Sequence, residues 1–193
     1  MNGSERKAPL FETTIDQDTI FNGRVFSVEV RQVRLSDGQQ GRREIVRHHG
    51  GACTVALDQN GMVAMVRQFR SPFEELMLEI PAGKLEPGED PAVCAERELK
   101  EETGLTADCL EPLAVMYPSP GYCSEILHIY LATGLHQGEA EPDPGELLHC
   151  ERYRLADLLA MIDRGDIRDG KTVTALLTLD RRLRQTRPEN GGV

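Results

Sequence analysis

The chain has 193 residues, 39% of them hydrophobic, and carries 32 Asp and Glu against 22 Lys and Arg, a formal net charge of −10. That length supports one substantial core, or a core with a small appendage, while the acidic balance argues against nucleic acid as a partner, because phosphate-backbone binding needs clustered Lys and Arg. Cys53, Cys94, Cys109, Cys123 and Cys150 show no C-x-x-C spacing, the start "MNGSERKAPLFE" has no signal-like apolar run, and no run approaches the ~20 residues of a membrane span, so a reduced, cytoplasmic chain with no membrane partner is expected.

In chain order, the polar first ten or so residues and the Gly- and Pro-containing tail "RQTRPENGGV" are given no function. From Arg24 to His49 apolar residues alternate on both sides of Asp37-Gly38, which predicts a hairpin. A second hairpin is expected from "CTVALD" and "MVAMVRQF" flanking Asn60-Gly61, a dipeptide suited to the positive φ angles of a tight turn. Further strands are expected over Leu76 to Ile80, Leu113 to Tyr117, Ile126 to Leu131 and Leu147 to Tyr153, which together imply a mixed sheet.

Three helices are legible. The first spans Pro91 to Thr103, with proline at its start and Gly104 just past its end, and Ala92, Ala95 and Leu99 make a narrow face of small apolar residues. The second, Leu155 to Arg164, carries the stripe Leu155, Leu158, Leu159 and Ile162 and stops at Gly165. The third, Thr172 to Arg184, repeats it with Val173, Leu176, Leu177 and Leu183. Both stripes are read as core, and strands interspersed with helices make an α/β layered domain.

The first helix poses a chemical question. Gly83 to Leu105 holds seven carboxylates, and like charges at helical spacing cost a few tenths of a kcal/mol, about 0.2 to 0.5, per pair. Glu98 and Glu102 stack four apart, with Glu101 beside them, so three carboxylates are expected to converge. A solvated charged face, with Arg97 and Lys100 as partners, accounts for most helices of this composition. The preceding "PAGKLEPGE" favours another reading: a loop of two glycines and two prolines brings backbone carbonyls beside the carboxylates, and oxygen-only clusters suit hard divalent cations such as Mg²⁺ or Mn²⁺.

Gly83, five residues, Glu89, seven residues, then "RELKEETGL" from Arg97 to Leu105 resembles the Nudix box, G-x5-E-x7-R-E-U-x-E-E-x-G-U with U apolar, and all nine defined positions match. The resemblance implies a Nudix-type α/β/α sandwich around a mixed β-sheet, here preceded by an N-terminal antiparallel β-hairpin subdomain, and Mg²⁺-dependent hydrolysis of a nucleoside diphosphate linked to another moiety. It further implies that Glu98, Glu101 and Glu102, with the carbonyl of Ala82, would hold the metal, Glu101 supporting or bridging, and that Arg97 and Glu89 would orient the ligand carboxylates from behind.

Outside the box, "GRREIVRHHGG", "MVRQFRSPFEELMLEIPAGKLEPGE", "PSPGYCSE" and "RGDIRDGKT" are similar to the ADP-ribose pyrophosphatase branch, whose marker proline stands at Pro120, fifteen residues past Leu105. The similarity implies cleavage of ADP-ribose to AMP and ribose 5-phosphate, with another sugar nucleotide, such as a UDP-sugar or GDP-mannose, as the alternative substrate and a non-catalytic nucleotide sensor as the alternative of another class. The intact set of box glutamates argues against the sensor. Cleavage requires phosphate charge to be neutralised and a water to be activated. Arg70, after a strand, resembles the family's phosphate-contacting arginine. Glu146, just before a late strand, matches the place of the base, with Glu139, Glu141 and Asp143 as substitutes in the same acidic loop. Substrate contacts are further expected from Ser119, Pro120 and Gly121, and Phe26 or Arg43 would stack on the nucleobase. The branch also implies a homodimer, with residues 1–49 as the dimerisation segment, 50–185 as the hydrolase domain and 186–193 as a tail. No histidine stands at metal-ligand spacing, and no cysteine lies in a nucleophile motif.

Overall fold

A computed structural model describes residues 10–142, 145 and 147–186. The chain divides into two compact units, one running to His49 and including Ser119–Glu125, the other formed by Gly50–Pro118 and the chain from Ile126 onward.

The first unit is an antiparallel meander of β1 (Glu12–Asn22), β2 (Phe26–Leu35) and β3 (Gln40–His48). The β2–β3 hairpin turns where Asp37-Gly38 predicts it, with Gly38 at φ 89°. β1 is an addition to the expected pattern, because its apolar residues break strict alternation: register shifts fall between Thr14 and Asp16 and between Thr19 and Phe21, skipping Ile15 and Ile20. Ser119–Glu125 is tied to β3, with the Val46 N–H donating to the Tyr122 carbonyl at 2.8 Å and the Ser124 N–H donating to the Val46 carbonyl at 2.9 Å.

The second unit holds two sheets. β4 (Gly51–Ala56), β7 (Ala82–Lys84), β8 (Leu105–Met116) and β9 (Leu127–Gln137) form a mixed sheet in the order β7-β4-β9-β8, with β4 and β9 parallel. β5 (Met62–Arg70), β6 (Glu75–Glu79) and β10 (Leu148–Arg154) form an antiparallel sheet in the order β10-β5-β6. Every residue of β4 is buried, as expected of a strand covered on both faces. Its alternation explains how. Cys53 and Val55 join the large cluster with Met65, Ile80, Leu158, Leu176 and Leu179, beneath α2 (Leu155–Arg164) and α3 (Gly170–Thr186). Ala52 and Ala56 turn the other way, toward Cys94, Ala95 and Leu99 of α1 (Pro91–Thr103). The Thr54 hydroxyl, on that same face, donates to the Ala95 carbonyl at 3.2 Å, so small residues on both elements let helix and strand approach closely. The result is the expected α/β/α layering.

Two expectations change. The turn at Asn60-Gly61 forms, with Gly61 at φ 76° and Asp58 Oδ1 accepting from the N–H groups of Asn60 and Met62. The flanking strands, however, share only the Leu57–Val63 bridge and then enter different sheets, so no hairpin extends from the turn. A turn dipeptide sets chain reversal, while β7 and the distant β9 take the edges of β4, and the following β6 and the distant β10 take those of β5. In α3, Leu177 is exposed, whereas Leu176 and Leu179 are buried. Among the described residues no helix is long and apolar enough to cross a membrane.

Candidate active site

The box residues lie on two elements that the local sequence brings together. α1 begins where the Asp90 carboxylate accepts the Ala92 N–H at 2.8 Å with Pro91 in the first turn, and ends at Gly104, φ 72°, whose N–H donates to the Lys100 carbonyl. The segment expected to be a loop contains a short strand, β7, whose Ala82 pairs with Cys53 of β4. The backbone beside the helix is therefore fixed by the sheet. Across this gap the Ala82 N–H donates to Glu102 Oε2 at 2.9 Å, and Glu102 is buried. Gly83 lies so close under α1 that a Cβ added there would fall on the Glu98 carboxylate.

Arg97 organises the acidic set. Its Nε and Nη2 donate to the two oxygens of Glu89 at 3.0 and 3.1 Å, and its Nη1 donates to Glu98 Oε1 at 2.7 Å and Glu101 Oε2 at 3.0 Å. These bonds hold the guanidinium firmly protonated, and the hydrogen bond from Arg97 holds the Glu89 carboxyl below its usual range. Glu89 also accepts the Glu86 N–H at 2.9 Å, fixing the turn that leads into the helix. Among the described residues no three His, Cys, Asp or Glu side chains stand together as a ready-made metal-ion cluster, and the box carboxylates are held by protein partners instead. Glu98 and Glu101 share Arg97, whereas Glu102 bonds to the β7 backbone. The donor types nevertheless fit a hard cation, because they are carboxylate oxygens beside a glycine cradle with no sulfur or imidazole among them.

The acidic loop after β9 starts beside the same helix. The Gly138 N–H donates to the Gly104 carbonyl at 2.8 Å and the Glu141 N–H to the Glu101 carbonyl at 3.0 Å. A side chain at Gly104 would collide with the Gly138 carbonyl, so this position requires glycine for space as well as for φ. Glu139 and Glu141 are exposed. Glu146 and Asp143 lie outside the described residues.

Arg70 closes β5. Its Nε and Nη2 donate side-on to both oxygens of Glu79, each at 2.8 Å. Glu79 is buried and also accepts from Lys171 Nζ. Lys171 donates on to Asp169 at 3.0 Å, and Asp169 Oδ2 accepts the Thr172 N–H and hydroxyl at 3.0 and 2.6 Å. Burial opposes the charge on Glu79, but Arg70 and Lys171 outweigh it and push the pKa down to about 2. Burial likewise opposes the charge on Lys171, and Asp169 and Glu79 hold it above its usual range. No expectation falls on Glu79, Asp169, Lys171 or Thr172 as site residues. The available signal was a carboxylate inside the apolar strand "LMLEI", a place where a charge persists only if paired.

The remaining expected substrate contacts belong to the first unit. Phe26 packs on Phe21 with ring centroids 5.6 Å apart, and Arg43 pairs with Glu12 at 2.7 Å. The Ser119 carbonyl accepts the N–H groups of Tyr122 and Cys123, so Ser119, Pro120 and Gly121 form part of a tight turn.

A fold of this layering with the box held between β7 and α1 defines a Nudix-type hydrolase. The family model described as NUDIX domain matches residues 47–176, and the chain belongs to that family. It is 41% identical over 169 residues to ADP-ribose pyrophosphatase of Bacillus subtilis (strain 168), covering 86% of this chain and 91% of the relative. It is 44% identical over 167 residues to methanol dehydrogenase activator of Bacillus methanolicus, covering 86% and 90%. A crystal structure of an ADP compounds hydrolase superposes with a TM-score of 0.80 at 27% identity, covering 92% of this chain and 97% of that one.

Proposed function

We propose that this protein hydrolyses ADP-ribose to AMP and ribose 5-phosphate with a divalent cation, Mg²⁺ or Mn²⁺ in its place. The observation that carries the reading is the approach of Gly83 to Glu98, with Glu102 bonded to Ala82, which brings helix carboxylates against strand backbone. Glu98, Glu101, Glu102 and the Ala82 carbonyl would hold the cation, which when bound neutralises phosphate oxygens and lowers the pKa of a water. Arg97, itself held by Glu89, keeps Glu98 and Glu101 in place, and the Ala82 N–H holds Glu102. Arg70 binds a phosphate, a task suited to a planar guanidinium. Glu146 accepts the proton of the attacking water, and Glu146→Gln is expected to lower kcat by roughly 10²- to 10⁴-fold with little change in KM. A drop of less than tenfold would move the role to Glu139, Glu141 or Asp143. Phe26 or Arg43 stacks on the base, and Ser119, Pro120 and Gly121 border the substrate.

Residues 1–49 serve as the dimerisation segment of a homodimer, residues 50–185 as the hydrolase domain and residues 186–193 as a tail, in a protein working in the cytoplasm. The test is product analysis with Mg²⁺ over a panel of ADP-ribose, UDP-glucose, GDP-mannose, NADH and diadenosine polyphosphates. AMP with ribose 5-phosphate, formed fastest from ADP-ribose, is the expected outcome. Faster cleavage of UDP-glucose or GDP-mannose would reassign the substrate, and binding without turnover would make the protein a sensor.

A further inference from the structure

Glu79 is the most deeply placed carboxylate that the proposed chemistry leaves without a task. Both of its oxygens are committed: Arg70 takes one with Nε and the other with Nη2, and Lys171 shares the second. Burying such an ion pair is a poor route to stability, because desolvation offsets the Coulombic gain and an apolar replacement is often neutral or better. Orientation is a more direct return. A side-on fork fixes the guanidinium plane and turns Nη1, which has no partner among the described residues, away from Glu79. The Arg70 side chain remains 36% exposed against 2% for Glu79, so its free edge faces an approachable side. The far end of the network is equally anchored, since Lys171 and Asp169 stand at the start of α3 and the Thr172 hydroxyl accepts the Ile80 N–H, one residue past Glu79, at 3.0 Å.

We propose that Glu79 is a positioning residue for Arg70, and that Lys171 and Asp169 at the start of α3 hold Glu79, so that α3 takes part in setting the arginine that receives the pyrophosphate. The proposal rests on the reading of Arg70 as a phosphate ligand. In it, Glu79 touches no substrate and acts only through the guanidinium.

The test is steady-state kinetics on ADP-ribose with Mg²⁺ for Arg70→Ala, Glu79→Gln, their double variant and Lys171→Gln, with melting temperature followed alongside. Glu79→Gln keeps the shape and one acceptor but loses the charged fork. It is expected to lower kcat/KM about 10- to 100-fold, chiefly through KM, as for loss of charge-assisted hydrogen bonds. The double variant should lose no more than Arg70→Ala alone, because residues acting through one another are not additive. Lys171→Gln should raise KM in the same direction by about three- to tenfold. If Arg70→Ala keeps wild-type kcat/KM, the phosphate-ligand reading fails. If Arg70→Ala loses activity while Glu79→Gln keeps wild-type KM, or the two losses multiply, Glu79 is structural and the positioning role is overturned. A wild-type KM in Lys171→Gln removes α3 from the device. Should Glu79→Gln not fold, Glu79→Asp tests the same point, since it keeps the charge but withdraws it from the guanidinium; a wild-type KM there would equally overturn the role.

Discussion

Arg97 closes on Glu89 with two hydrogen bonds of 3.0 and 3.1 Å, joining the residues at the two sides of the seven-residue spacer in the box. The same guanidinium reaches Glu98 and Glu101 with its third nitrogen. Lysine carries the charge but cannot span two carboxylates with a planar fork. Arg97→Lys is therefore expected to lower kcat/KM by about 10- to 100-fold, the usual effect of removing support behind metal ligands. Kinetics against Mg²⁺ concentration would check this, with half-maximal activity shifting to higher Mg²⁺ at unchanged fold by circular dichroism.

Gly83 provides a steric test. Because a Cβ there would fall on the Glu98 carboxylate, Gly83→Ala must displace that side chain. Mg²⁺ should raise the melting temperature of the wild type, as any ligand of the native state does. Gly83→Ala should lose most of that shift; an undiminished Mg²⁺ shift in the variant would place the cation elsewhere.

The Glu79 carboxyl gives a pH prediction. Its folded pKa is about 2 against an ordinary 4.5, a difference on the order of 3 kcal/mol. A depressed carboxyl contributes stability that is fully present above the unfolded value and is lost as pH falls through the folded one. Wild-type stability should thus fall between pH 4.5 and 2, and Glu79→Gln should show a shallower fall over the same window. Denaturant midpoints across that window decide it, and parallel curves for the two proteins would count against the assignment.

Much of this was legible because the signals were local. α1 begins and ends at Asp90, Pro91 and Gly104, all caps with a mechanism readable from residue type. The box spacing places Arg97 opposite Glu89 and Glu98 over Gly83 without knowledge of the rest of the chain. What depended on partners distant in sequence was hidden. The Asn60-Gly61 turn formed, yet β4 and β5 separated because their edges were claimed by strands from elsewhere in the chain. Glu79 and Lys171 lie 92 residues apart, and neither announces the other. β1 carries no clear strand signal, because two register shifts interrupt its alternation.

The first unit leaves apolar side chains in solvent: Phe11, Ile15, Ile20 and Phe21 on or beside β1, and Val25 and Phe26 at the start of β2. Apolar groups on an exposed strand invite cover. A homodimer is expected by light scattering at micromolar concentration, and Ile20→Lys with Phe21→Lys should convert it toward monomer. A fully active wild-type monomer would refute the assembly.

The central claim is that the box glutamates form the hydrolytic centre for ADP-ribose, and AMP release with Mg²⁺ from wild type and Glu102→Gln, side by side, tests it most directly. Glu102 bonds to the Ala82 N–H at 2.9 Å, and glutamine retains an acceptor for that bond while removing the charge. The account predicts rapid AMP and ribose 5-phosphate formation by the wild type and a loss of about 10²- to 10³-fold or more in the folded variant, the scale of removing one preorganised electrostatic group. Near wild-type turnover by Glu102→Gln, or no AMP release from ADP-ribose by the wild type, would contradict it.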